Sequence, residues 1–522
     1  MQALMLRDSL PPVSLGHLRA PLTAPPTPPG ERPVGVTPAR VLARSTPGVP
    51  EREFRGSWMA TVKNIDWPSR PGMRTADMKA ELQAMLDQAQ ALKLNAVIMQ
   101  VRPAADALYQ SRLEPWSEFL TGSQGQAPDD GFDPLAYAVE QAHLRGLELH
   151  AWFNPFRARL LNPDGSAPPT AANHITRTQP QWVRRYGAYQ WLDPGEAGVQ
   201  DHAMRVIRDV VKRYDLDGVH IDDYFYPYPV QGKDGKDQPF PDEPSWQQYL
   251  KSGGTLSRDD WRRDNVDRFV ARLYREVREE KPHVKVGISP FGIWKPGYPP
   301  GIKGMDPTEK LYADARKWLH AGWLDYMLPQ LYWPIEQAAQ SFPKLLAWWS
   351  EQNLKGRHMW AGMYTSKVAD GSPSAWKADQ IRRQIDLSRT TPGVSGHAHY
   401  SLRPLLSGRG GLASQLKAET YPRPALVPAS PWLDANGAPP APPELRLGSQ
   451  TRSGGRLVSW RAADDEAVSH WIVARREGEV WRTEILPGYR RFTSVPPNVD
   501  ALSVAAVDRA GVAGPPVSVG IN

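Results

Sequence analysis

LDGVHIDDYFYPYP, residues 216–229, carries a short apolar run into two adjacent carboxylates and then into alternating aromatics and prolines. It reads as a buried strand that ends on Asp222 and Asp223. Neighbouring carboxylates in such a place must ionise at a desolvation cost, pair with something, or share protons, and each outcome belongs to chemistry.

The same unit recurs on either side. FRGSWMATV (54–62), NAVIMQVRP (95–103) and LELHAWFNPFR (147–157) precede the stretch; VKVGISPFGIW (284–294), LDYMLPQLYWP (324–334), HMWAGMYTSK (358–367) and VSGHAHYSL (394–402) follow it. Between these runs, apolar residues recur at helical spacing, as with Met78, Leu82, Met85, Leu86 and Ala89. That spacing predicts helices over 75–93, 133–146, 197–214, 261–281, 308–321, 335–353 and 376–389. Eight alternating strand–helix units make an α/β TIM (β/α)8 barrel over 53–420.

The flanks have different chemistry. Residues 1–52, with PPTPPG at 25–30 and no hydrophobic period, read as a disordered Pro-rich leader, and 421–443 as a Pro/Ala-rich linker. Over 444–522, RLVSW, HWIVARR, RRFTSV and LSVAAVDRAGVAGPP alternate as short strands. This small all-β unit resembles a fibronectin type III sandwich with Trp460 as its core tryptophan; Val504 stands where that fold's corner tyrosine is expected.

Composition narrows the function. A chain of 522 residues with 23% charged and 40% apolar residues exceeds one ordinary core, and its apolar runs are too short for an integral membrane segment. The net charge of +7 is scattered rather than gathered into a stripe, which argues against nucleic acid as partner. With no cysteine, disulfides, thiolate metal sites and a cysteine nucleophile all drop out. The first thirty residues show no signal peptide.

In a barrel of this kind the active site lies at the carboxyl ends of the strands. Those ends supply Trp58, Arg102, Asn154, Arg157, Tyr226, Trp294, Gln330, Tyr332, Trp333 and Tyr364 as substrate-binding candidates around Asp222 and Asp223, the catalytic candidates. Aromatic faces with amide, guanidinium and carboxylate groups are the mixture a sugar cleft needs. Glycoside hydrolysis commonly uses two carboxyl groups, and Asp193, Asp66 and Asp106 are candidates for a second one away from the pair. A substrate-assisted route needs only one protein acid. His397 and His399 form an H-x-H pair, but too few further ligands converge there for a metal, and no cofactor motif is present.

FRGSWMATVKNIDWPSR, VIMQVRPAADALYQS, EPWSEFLTG, HAWFNPFRA and DGVHIDDYFYPYP, in that order, resemble the glycosyl hydrolase-like 10 family over about 53–420. The resemblance implies an extracytoplasmic hydrolase acting on a polysaccharide, the glycan strands of peptidoglycan. In the characterised case these are strands stripped of stem peptides, and the setting is envelope remodelling or division. DGVHIDDY is also similar to the D-G-x-D-x-D-x-E strand of chitinase-like barrels: Asp217 and Asp222 match its first and third acids, while His220 and Tyr224 replace the second acid and the catalytic Glu. The competing expectation is a non-catalytic glycan-binding barrel of the envelope, its terminal sandwich offering a second surface for an envelope protein or glycan.

Overall fold

The computed structural model describes residues 37–38, 48–434, 438–451, 454–463 and 468–521. Each apolar run supplies one strand: Phe54–Met59, Ala96–Arg102, Glu148–Phe153, Gly218–Ile221, Lys285–Ile288, Tyr326–Met327, His358–Met363 and Val394–His399. Each pairs in parallel with the next, and the last pairs with the first, closing the barrel. Closure leaves no sheet edge, and it divides the strand residues between two cores by the two-residue period. Along the second strand, Ala96 and Ile98 pack inside the barrel with Phe54, Trp58, Trp152, Tyr326 and Trp360. Val97, Met99 and Val101 pack outward on the helices. Each such side chain contributes about 1.5–3 kcal/mol by leaving water.

The interior is filled by setting small residues against large ones. A Cβ on Gly287 would lie 1.8 Å from the Tyr326 ring, and one on Gly362 would lie 2.8 Å from the Pro329 carbonyl oxygen and 3.2 Å from the Trp58 indole, so both strands need glycine there.

The helix Thr75–Ala91 buries Met78, Leu82, Met85, Leu86 and Ala89, as the spacing predicts, and Ala197–Arg213 and Arg258–Glu280 likewise turn their apolar stripes inward. Two expectations change. The predicted helix 308–321 is broken into Pro307–Lys310 and Ala315–Ala321: Tyr312 between them has φ of +53°, and Asp314 caps the second piece by accepting from Lys317 N. The predicted helix 335–353 begins only at Phe342, behind a short turn Ala338–Gln340. Beyond the expected elements, the loops after the third and fourth strands hold a three-stranded antiparallel ribbon, Arg157–Leu160, Val183–Tyr186 and Tyr189–Leu192, and a helix, Glu243–Lys251.

Beyond the barrel, two four-stranded antiparallel sheets enclose a core of Val458, Trp460, Trp471, Val473, Leu502 and Val504. Trp460 is buried there, edge-on to Trp471. A short strand at Thr37–Pro38 adds antiparallel to Glu444–Gln450. The rest of the expected leader up to residue 47 lies outside the described residues. The segment after the barrel is packed: Leu426 pairs with Arg52, and Trp432 Nε1 donates to Asp325.

The sandwich sits at the amino-terminal ends of the barrel strands. Arg509 bonds Asp215 and Asp217, the latter just before the fourth strand; His470 contacts the Gly146 carbonyl and Tyr489 OH donates to the Leu144 carbonyl, both before the third. It therefore lies on the face opposite Asp222 and Asp223. Among the described residues no helix is long and apolar enough to cross a membrane.

Candidate active site

The strand ends converge on a pocket of about 560 Å³ at the carboxyl end of the barrel. Strand alternation would send Asp222 and Asp223 to opposite faces, but the fourth strand ends at Ile221, so both belong to the following loop. Both line the pocket, 4% and 2% exposed.

Their partners differ. Asp222 accepts from Trp152 Nε1 at 3.2 Å, from Asn154 Nδ2 at 3.3 Å and from the Tyr224 amide at 3.2 Å. Burial first, and the Asp223 charge second, push its carboxyl up to about 7 against the opposing pull of Arg157. Asp223 accepts from Gln330 Nε2 at 3.0 Å and from the Tyr228 hydroxyl. Burial and the Asp223 charge hold the Tyr228 phenol far above its ordinary range, so it stays a donor. The result is a tandem pair in which one carboxyl is poised to be protonated near neutrality and the other sits among fixed donors. Such a division is what acid catalysis requires.

The expected binding residues separate into groups. Trp58, Arg157, Gln330 and Tyr332 line the pocket; Trp333 and Tyr364 line an adjoining lobe together with Gln330 and Tyr332. The Tyr332 and Tyr364 rings are stacked at 5.1 Å. Asn154 acts through Asp222 rather than as a wall. Arg102 does not reach the pocket. Val101 is an extra residue in the pairing of the second strand with the third, between Gln100 and Arg102, and such a bulge re-aims the side chain that follows. The Arg102 guanidinium is spent on Glu114 and on the Asn154 and Pro155 carbonyls. Tyr226 is buried against Phe240 and Tyr312, outside the pocket. Trp294 stacks on Trp348 and donates to Asp314, lining a small apolar recess behind Asp223.

The three remote carboxylates each serve the local backbone and stand away from the pocket lining. Asp66 accepts from the Ala60 and Arg403 amides and from Ser401, joining the first loop to the eighth. Asp106 accepts from the Ala104 amide and Gln124, and burial pushes it up to about 7. Asp193 accepts from Ser245 and the Gly195 amide beside Arg184, and burial brings it to about 6. Asp217 lies at the other end of the barrel with His143 and Arg509.

Gln100, Trp152 and Tyr228 were not among the expected site residues. Gln100 lines the pocket and accepts from the Thr61 and Val62 amides. Its signal was present in the sequence: it follows Ile98 by two places on a strand whose inward positions are otherwise apolar. Tyr228 continues the two-residue spacing of Tyr224 and Tyr226. Beneath the pocket floor, His220 is bonded to Ser289 and to the Tyr326 hydroxyl, and Trp58 Nε1 donates to it. Burial, reinforced by His150, holds His220 well below its ordinary range, so it is a neutral member of a buried network. His397 and His399 share the Tyr421 hydroxyl. Among the described residues no group of three or more His, Cys, Asp or Glu side chains is placed to hold a metal ion.

The chain matches the family model for Glycosyl hydrolase-like 10 over residues 53–379. It is 39% identical over 444 residues to Glycosyl hydrolase YngK of Bacillus subtilis, covering 83% of this chain and 84% of that protein. It is 34% identical over 371 residues to Glycosyl hydrolase DigH of Escherichia coli K12, covering 66% of this chain and 81% of the relative. Among solved structures it is similar to the catalytic domain of beta-amylase from Paenibacillus polymyxa, with a TM-score of 0.48 and 11% identity over 71% of this chain and 99% of that one. The chain belongs to the Glycosyl hydrolase-like 10 family and is a glycoside hydrolase.

Proposed function

We propose that the enzyme cleaves an N-acetylated amino-sugar polymer, the glycan strands of peptidoglycan, outside the cytoplasm during envelope remodelling or division. One observation carries the mechanism. Among the described residues, the carboxylates lining the deep pocket are Asp222 and Asp223, adjacent in the chain. A water-activating or nucleophilic carboxylate belongs on the far side of the sugar from the acid, and the adjacent pair places both groups on one side. The substrate's own acetamido group supplies the missing nucleophile.

In this reading Asp222, protonated near neutrality, gives its proton to the glycosidic oxygen as the C1–O bond breaks. The acetamido carbonyl oxygen of the same sugar closes on C1, forming an oxazolinium ion. Ionised Asp223 accepts the amide N–H of that ring and balances its charge, held in place by Tyr228 and Gln330. Water then attacks C1, its proton passes to Asp222, and the acetamido group is released with the original anomeric configuration. The aromatic and amide walls favour a sugar.

Asp222→Asn and Asp223→Asn, assayed on purified glycan strands with and without stem peptides by product chromatography, test the reading. Loss of turnover in both variants is expected; unchanged turnover in both would remove the pair from the chemistry. Inversion of the anomeric configuration would overturn substrate assistance. A wild type that binds strands and cuts none would favour the glycan-binding barrel.

A further inference from the structure

Arg157 is nearly as deeply buried as Arg102, at 2% exposed, but it is not matched in the same way. Arg102 is bonded to Glu114 and Arg55 to Glu53, whereas no carboxylate among the described residues pairs with Arg157. Its Nε donates to the Pro103 carbonyl at 2.9 Å, and its guanidinium lies 5.2 Å from the centre of the Tyr224 ring. The two terminal nitrogens have no acceptor among the described residues, and Arg157 lines the deep pocket with Asp222. A buried charge without a counter-charge is costly, so a guanidinium held in this state belongs to a partner that arrives from outside. Keeping Asp222 ionised is not what it achieves: burial and the Asp223 charge prevail over its pull.

A second cation stands nearby. Lys63 follows Val62 and precedes Ile65 by two places in the loop after the first strand; both of those neighbours line the pocket. No carboxylate among the described residues pairs with Lys63; burial first and Arg157 second draw its ammonium below the ordinary range. Asn154 then sets the register. Its Oδ1 accepts from the Arg157 amide at 3.1 Å while its Nδ2 donates to Asp222 at 3.3 Å, so a group caught by Arg157 is placed relative to the acid.

We propose that Arg157, with Lys63 at the rim, reads a free carboxylate on the acetamido sugar that enters the pocket, so that the polymer cleaved is one whose units carry an acid. The proposal rests on the glycan-cleaving reading above. The planar fork of a guanidinium takes both oxygens of a carboxylate. A phosphate monoester would bring about two charges beside Asp222 and Asp223, where a carboxylate brings one. Turning that carboxylate into an amide removes the charge and leaves the buried guanidinium unpaired.

The test uses the full chain carrying Asp222→Asn, titrated by calorimetry with glycan strands freed of stem peptides. The same strands with their carboxylates converted to methylamides, strands that keep their stem peptides, and an alternating polymer of acetamido sugar and uronic acid are titrated beside them. Strands with free carboxylates are expected to bind about 10- to 100-fold more tightly than their methylamides or the peptide-bearing strands, the worth of a charge-assisted pair. Arg157→Gln in this background should remove the preference, and Lys63→Gln, at an exposed position, should narrow it about threefold. A purely structural role for Arg157 would weaken every strand alike and leave the ratio standing. Equal affinity for free and methylamidated strands, or a ratio undiminished in either variant, overturns the proposal. Tight binding of the uronic-acid polymer alone supports the carboxylate, assigns it to the sugar ring instead of a lactyl ether, and overturns peptidoglycan as the substrate. Wild type is assayed in parallel for turnover of the same polymers. A preserved binding ratio without any cleavage overturns only the hydrolysis reading, and cleavage indifferent to the methylamide overturns only the carboxylate. No binding of any polymer overturns both.

Discussion

Arg102 and Glu114 meet inside the protein with guanidinium-to-carboxylate distances of 2.5 and 2.8 Å, both side chains at most 1% exposed. Glu114 also accepts from His202 at 2.8 Å. A buried pair of this kind is costly to halve, because the remaining charge has nowhere to go.

Glu114→Ala is therefore expected to destabilise the barrel by about 3–5 kcal/mol in denaturant unfolding, and Arg102→Met combined with Glu114→Leu by much less. Burial works to raise the Glu114 carboxyl, but Arg102 and His202 outweigh it and hold the group at about 2. A depressed folded-state value means that the contribution is fully present above about pH 4.5 and is lost as pH falls towards 2. The gap in Tm between wild type and Glu114→Gln should be wide at pH 7 and nearly closed at pH 2. A gap that does not narrow would show the ion pair to be incidental.

Asp222 has the opposite sign. Its carboxyl is raised to about 7 in the fold, so the folded state binds more protons than the unfolded one between about pH 4 and 7, and stability falls as pH rises through that window. Asp222→Asn should leave the unfolding free energy nearly unchanged at pH 4 and raise it at pH 8, by on the order of 1 kcal/mol or more, while turnover drops by about 10²–10⁴-fold. In wild type the activity should decline as pH passes about 7, where the acid loses its proton. A profile flat from pH 6 to 9 would remove Asp222 as proton donor.

Tyr228→Phe keeps the ring that walls the lobe and deletes the hydroxyl that holds Asp223. The expected result is a kcat about 10- to 100-fold lower with little change in KM, the pattern for a group that positions a reacting carboxylate. A rise in KM at constant kcat would make Tyr228 a sugar contact only.

Arg509 reaches from the sandwich to Asp215 and Asp217 at the end of the barrel remote from the pocket. Arg509→Ala should split the calorimetric unfolding into separate sandwich and barrel transitions while leaving glycan turnover at the wild-type rate. A loss of turnover without a change in folding would mean that the two ends of the barrel are coupled.

The architecture was legible because it rests on local periods. Residues 96–99 alternate between the inner and outer cores, and 75–91 carry one apolar stripe, so the chain declares strand and helix before it folds. The acid pair was legible for a related reason: carboxylates at the end of an apolar run in a parallel barrel can only arrive at its mouth. The small residues inside the barrel, Gly287 and Gly362, acquire their meaning only against Tyr326, Pro329 and Trp58, which lie elsewhere in the chain.

What the sequence by itself determined was the order of elements and the delivery of Asp222 and Asp223 to one rim. Tertiary structure alone decided which polar groups remain for a substrate. A bulge at Val101 turns Arg102 towards Glu114, backbone amides absorb Asp66, Asp106 and Asp193, and a helix that starts only at Phe342 leaves Gln337 and Gln340 lining the lobe beside Tyr332. It also seats the sandwich at the opposite end of the barrel through Arg509. A buried charge takes whichever partner the fold brings within reach, and that partner is set by geometry across distant segments rather than by spacing along the chain.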